Sequence, residues 1–131
     1  MTITVAIITY ERHAILKRCV ESLFNQTRPP KEILIIDSSS AAIAENFFPP
    51  EWSGIIRYLH VQGRRSIPEA RNIALTQADT DIVTFIDDDA TAERKYIEAI
   101  EATFKSNPRV ACVGGPTINA TTEKVPFEYI I

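Results

Sequence analysis

The chain is poor in the residues that staple a fold, cradle a phosphate or coat a polyanion. It has two cysteines in 131 residues, too few for a disulfide framework or a thiolate zinc site. Cys19 and Cys112 each fall within an apolar pattern, which reads as two buried free thiols. There are four glycines, and neither Gly-x-Gly-x-x-Gly nor Gly-x-x-x-x-Gly-Lys occurs. A phosphate group would therefore not be held mainly by a glycine loop. Positive charge is not in excess: 14 Lys and Arg stand against 17 Asp and Glu, a formal net charge of −3. No basic stripe runs along any segment, so nucleic acid is not an expected partner. No segment approaches the roughly 18 apolar residues of a membrane span. The first residues enter a strand pattern rather than a leader, so a cytoplasmic protein is expected, with peripheral work at a membrane surface still open.

What is present is an alternation of two periodicities. Residues 3–9 are β-branched and apolar, the pattern of a strand buried on both faces. Residues 13–25 place Ile15, Leu16, Cys19, Val20, Leu23 and Phe24 at helical spacing. Residues 33–36 read as a second strand ending at Asp37, residues 41–47 as a short helix closed by Pro49-Pro50, and residues 55–61 as a third strand. Ser66-Ile67-Pro68-Glu69 is a capping box that opens a helix to about Ala78. Residues 82–86 form the next strand, residues 92–105 a helix with Tyr96, Ile97, Ile100 and Phe104 inward, and residues 110–113 a short fifth strand. Strands alternating with helices predict one α/β domain with a largely parallel sheet flanked by helices.

The most informative segment is the strand Ile82-Val83-Thr84-Phe85-Ile86, which runs directly into Asp87-Asp88-Asp89. Like charges about 6 Å apart repel by roughly 3 kcal/mol at an effective dielectric of 20. A hard divalent cation such as Mg²⁺ or Mn²⁺ would offset that repulsion, commonly with one or two carboxylates and a substrate's phosphates. A solvated acidic turn ahead of a helix is the competing explanation. Open parallel sheets bind ligands beyond the carboxyl ends of their strands. Thr9-Tyr10-Glu11, Asp37 and the acidic triplet all fall there, a convergence that suits a nucleoside diphosphate attached to something else.

These segments resemble the amino-terminal half of a family 2 glycosyltransferase with the Rossmann-like GT-A fold. The resemblance runs from Ile3 to about Thr117. It rests on Val5 to Arg12, Cys19 to Thr27, Glu32 to Asp37, Ala70-Arg71-Asn72 and Phe85 to Asp89, in that order and spacing. It implies an α/β fold and an inverting transfer of sugar from a nucleotide-diphosphate sugar, most simply a UDP-sugar, to an acceptor. It further implies that Asp37 bonds the imide edge of the base, that Thr9, Tyr10 and Glu11 line base and ribose, and that Arg71 helps hold the nucleotide. Asp87 and Asp89 would form an Asp-x-Asp motif. Asp89 would bind Mn²⁺ or Mg²⁺ directly, Asp87 would lie nearer the ribose or a metal-bound water, and Asp88 would contact the sugar.

Ile8 stands where the family usually has Pro, Glu11 where it often has Asn, and Ser38-Ser39-Ser40 where Asp-Gly-Ser is common. No catalytic base is identified: Glu123 and Glu128 are the only late acids and neither has a suggestive spacing. The chain is therefore expected to be a donor-binding domain lacking the acceptor half, with an apolar carboxyl end able to pair two copies. A nucleotidyltransferase and a non-catalytic nucleotide-binding module remain as alternatives. The former would favour a glycine- and basic-rich loop after the first strand, which Thr9 to Ala14 does not supply. His13, His60, Arg64 and Arg65 read as surface or packing residues, and Trp52 as packing on the domain surface.

Overall fold

The computed structural model describes residues 1–118. In chain order they form strand β1 (Ile3–Thr9), helix α1 (His13–Phe24), β2 (Glu32–Asp37), a 3-10 turn (Pro50–Trp52), β3 (Ile56–His60), α2 (Ile67–Gln77), β4 (Ile82–Asp87) and α3 (Tyr96–Ser106). The four strands make one parallel sheet in the order β3-β2-β1-β4.

Strand alternation divides the core between the two faces of that sheet. Ile3, Val5, Ile7, Ile33 and Ile35 pack with Leu16, Cys19, Val20 and Leu23 of α1 and Ile97 of α3. On the opposite face Ala6, Leu34 and Ile36 meet Ala70 and Ala74 of α2. Two alanines at i and i+4 present no bulk, so that helix lies close on the sheet. Ile7, Ile33, Ile35 and Leu34 have no exposed surface at all, the expected fate of strands covered on both sides.

Register carries the polar residues to one end. Thr9 pairs with Asp37, Asp37 pairs with His60, and Ile8 pairs with Asp87. All four strands point the same way, so these positions share the carboxyl edge of the sheet. The chain builds β2 and β3 outward on one side of β1, then crosses to lay β4 on the other. That reversal puts the topological switch point between β1 and β4.

The start of α2 follows its sequence signal with one difference. Ser66 is the N-cap and its Oγ accepts from the Glu69 backbone N at 3.4 Å, while the same hydroxyl donates to Glu69 Oε1 at 2.9 Å. Glu69 thus closes the box on the serine hydroxyl rather than on the serine N–H.

Four expectations need correction. Residues 41–47 form no helix. Seven residues between a serine turn and two prolines are too few to offset helix nucleation, and Phe48 instead packs toward the core beside Trp52. Helix α3 starts at Tyr96 rather than 92, because turns occupy the preceding residues: Ala90 N donates to Asp87 O at 3.0 Å and Tyr96 N to Glu93 O at 2.9 Å. Residues 110–113 are irregular and exposed rather than a strand. An apolar run needs a neighbouring edge to pair with, and among the described residues none lies beside it. Cys112 is consequently exposed, whereas Cys19 is buried as expected. The apolar stretch 125–131, together with Glu123 and Glu128, lies outside the described residues.

Candidate functional site

The acidic triplet does not act as one negative surface. Asp87 ends β4 exposed, Asp88 turns inward, and Asp89 turns out again. The Asp88 side chain is 1% exposed. Its Oδ2 accepts from Thr9 Oγ1 at 2.9 Å and from Arg12 Nε at 3.2 Å, and its Oδ1 accepts from Arg12 Nη2 at 2.5 Å. A carboxylate this deep requires both a counter-charge and hydrogen bonds, and Arg12 supplies the two together. The third guanidinium nitrogen, Nη1, stands 3.6 Å from Asp89 Oδ2. The Asp89 side chain remains 56% exposed.

The donor set suits one kind of cation. Asp87 and Asp89 offer hard oxygens, as Mg²⁺ and Mn²⁺ prefer. Among the described residues no three metal-ligating side chains gather into an all-protein cage. An ion held there would need one or two of these carboxylates and, to complete its shell, a ligand's phosphates.

On the other side of β1, Asp37 is the hub of a second cluster. It has no exposed surface. Oδ1 accepts from Ser39 N at 2.8 Å, while Oδ2 accepts from Tyr58 Oη at 2.5 Å and faces His13 Nε2 at 2.7 Å. Burial pushes this carboxyl's pKa up, but the bonds from Ser39, Tyr58 and His13 outweigh it and hold the group below the usual carboxylate value. The same arrangement, burial first and the Asp37 bond second, pushes the Tyr58 phenol up to about 12.

The lowered Asp37 value has a consequence for stability. A group whose folded pKa lies below its unfolded value, about 3.9 for Asp, contributes stability that is full above that value. The contribution fades as pH falls through the folded pKa. Denaturant midpoints should therefore drop as pH falls below about 4, and Asp37→Asn should flatten that drop while lowering the midpoint at pH 6. Equal acid sensitivity in the variant would remove Asp37 from the account.

Glu11 closes the mouth of this cluster. Its φ of 53° is left-handed, uncommon for a residue with a Cβ, and is held by two bonds. Its N–H donates to Ser39 Oγ at 2.7 Å, and its Oε1 accepts from Ser40 N at 2.6 Å. His60 Nε2 lies 2.7 Å from Ser39 O. A crevice of about 300 Å³ opens here, lined by Tyr10, the three serines, His60, Gln62, Gly63 and Arg64. The Arg64 guanidinium sits over the Tyr10 ring, 4.9 Å from its centroid.

The structure thus gathers Glu11 and Asp37 around Ser39, and Asp88 and Asp89 around Arg12. Thr9 turns its hydroxyl inward to Asp88. Arg71 joins neither group: it is exposed on α2 with its guanidinium 5.5 Å from the Phe85 ring centroid. Sequence reasoning gave no site role to Arg12, His13, Tyr58 or His60. A signal was available for the last two, since Tyr58-x-His60 alternates on a strand whose parallel register sets His60 beside Asp37.

Comparison with known proteins identifies the family and the fold. The family described as Glycosyl transferase family 2 matches residues 4–128. A glucosyl-dolichyl phosphate glucuronosyltransferase of Haloferax volcanii is 29% identical over 124 residues, 90% of this chain and 39% of that protein. The chain thus spans about two-fifths of that relative's length. A mannosyltransferase from Pyrobaculum calidifontis, solved with GDP-Man and Mn²⁺, superposes with a TM-score of 0.67 at 23% identity, covering 87% of this chain and 36% of that one. TarS 1-349 of S. aureus, solved with UDP-GlcNAc, superposes at 0.62 with 18% identity, covering 90% and 38%. These structural likenesses show the GT-A fold. With the profile match covering nearly its whole length, the chain belongs to glycosyl transferase family 2.

Proposed function

We propose that this chain supplies the donor site of an inverting, metal-dependent glycosyltransferase that uses a nucleotide-diphosphate sugar, a UDP-sugar in the first instance. The observation that carries this reading is the outward turn of Asp87 and Asp89 beside the Thr9–Asp37–His60 row, across the switch point of a parallel sheet. Structural neighbours solved with UDP-GlcNAc or with GDP-Man and Mn²⁺ lend it support.

In this reading the base and ribose occupy the crevice lined by Tyr10 and the serines, with Glu11 beside it on Ser39 and Ser40. Asp37 takes the imide N–H of the base, with His13, the partly exposed partner of Oδ2, giving way. Thr9 contributes through Asp88 and through its backbone, while Arg71 approaches the nucleotide from the α2 side. Asp89 binds Mn²⁺ or Mg²⁺ and Asp87 lies on the ribose side of it. Such a cation supplies Lewis-acid stabilisation of the departing nucleoside diphosphate. Inverting transfer also needs a base at the acceptor hydroxyl, and none of residues 1–118 is assigned that part. No helix among the described residues is long and apolar enough to cross a membrane.

Calorimetric titration with UDP, with and without Mn²⁺, tests the reading. Binding strengthened by Mn²⁺ is expected. Identical isotherms under both conditions would leave the acidic strand end as a solvated turn.

A further inference from the structure

Of the remaining features, the groove along residues 43–50 has nothing to specify its occupant, and the cysteines are isolated. The guanidinium of Arg12 is different, because it touches two members of the acidic triplet at once. We propose that Arg12 is the positioning residue of the cation site, fixing Asp88 so that Asp89 is presented outward at a set distance. This rests on the donor-site reading above and deepens it.

Three observations combine. Arg12 is the residue immediately before α1, so its backbone is anchored by a helix whose face is buried in the core. Its Nε and Nη2 take both oxygens of Asp88, a two-point contact that fixes the orientation of the carboxylate as well as its place. Its Nη1 reaches toward Asp89 Oδ2 at 3.6 Å. One rigid planar group therefore relates the buried carboxylate to the exposed one. Thr9 Oγ1 adds a third bond to Asp88 from β1.

The alternation along the triplet follows from this clamp. With Asp88 held inside at 1% exposure, its neighbours on either side are turned to solvent. Loosening the clamp frees Asp88 to move and lets Asp89 sample directions that a cation cannot use. A cation is sensitive to such losses, since partners one step removed from a metal commonly change its affinity 10- to 100-fold. Lysine retains the charge, but a single ammonium cannot span both carboxylates as the fork does.

The test is a titration of the chain with Mn²⁺ at saturating UDP, following free Mn²⁺ by electron paramagnetic resonance. Arg12→Lys should raise the Mn²⁺ Kd about tenfold while leaving the metal-free UDP Kd within about twofold. Asp88→Asn should raise it similarly, and the double variant should be no weaker than either single one, because both break the same link. Circular dichroism verifies that each variant is folded. If Arg12→Lys does not fold, Thr9→Val carries the test with a smaller rise in the same direction. A Mn²⁺ Kd within twofold of wild type in the folded variant, or effects of Arg12 and Asp88 that simply add, would overturn the proposal. Wild type without Mn²⁺ binding, matched by Asp89→Ala, would instead overturn the donor-site reading and the proposal with it.

Discussion

Asp89→Ala should abolish the Mn²⁺-dependent part of UDP binding and leave the fold intact. The side chain is 56% exposed, and Arg12 Nη1 is its one close cationic partner among the described residues. Truncation therefore uncovers no core and strands no buried partner, so the change in unfolding free energy should stay within about 0.5 kcal/mol. The effect on ligand binding is of another size. Opposite unit charges 4 Å apart interact by about 4 kcal/mol at an effective dielectric of 20. Screening at a half-exposed site reduces that to an expected 2–3 kcal/mol, or roughly a 30- to 150-fold loss. Asp87→Ala should lose less, because its proposed place is on the ribose side of the ion. Calorimetry on both variants decides. Persistence of the full Mn²⁺ enhancement in Asp89→Ala would remove this carboxylate from the site.

The four-stranded sheet was legible because each strand announces itself over a short window. Strands covered on both faces read as near-continuous apolar runs, as in Ile3 to Ile8 and Ile33 to Ile36. The helices α1 and α2 were equally local, the first by its spacing and the second by Ser66 and Glu69. The failures share a different cause. Residues 110–113 have strand composition, but a strand exists only with a partner edge, and no composition reports that. Residues 41–47 have the apolar content of a helix, yet their surroundings draw Phe48 onto the core instead. The triplet shows the same limit inside the site. Its sequence predicts charge at the end of β4, but the inward turn of Asp88 depends on Thr9 and Arg12, 79 and 76 residues earlier. His13 likewise matters only because register and helix placement bring it 2.7 Å from Asp37, across 24 residues. Its reading as a surface or packing residue came from weighing a histidine alone.

The clamp around Asp88 also predicts an asymmetry in stability. Arg12→Ala leaves a carboxylate with 1% exposure and only the Thr9 hydroxyl as a partner, within a cluster that still contains Asp87 and Asp89. Removing one member of a buried pair typically costs 3–5 kcal/mol. Arg12 is itself half exposed, at 49%, so water can enter the space it vacates, and the low end, about 3 kcal/mol, is expected. Asp88→Ala should cost less, although it deletes the same contact. The arginine left behind can turn its guanidinium into solvent, which a buried aspartate cannot do. The double variant should recover part of the Arg12→Ala loss, because no charge is then left unpaired in the interior. Urea unfolding of the three variants at neutral pH gives the order directly. If Asp88→Ala were as damaging as Arg12→Ala, the cost would lie in lost packing and bonding rather than in a stranded charge. The difference between the two therefore measures how far the fold relies on Arg12 to keep Asp88 inside, and with it the outward pair in place.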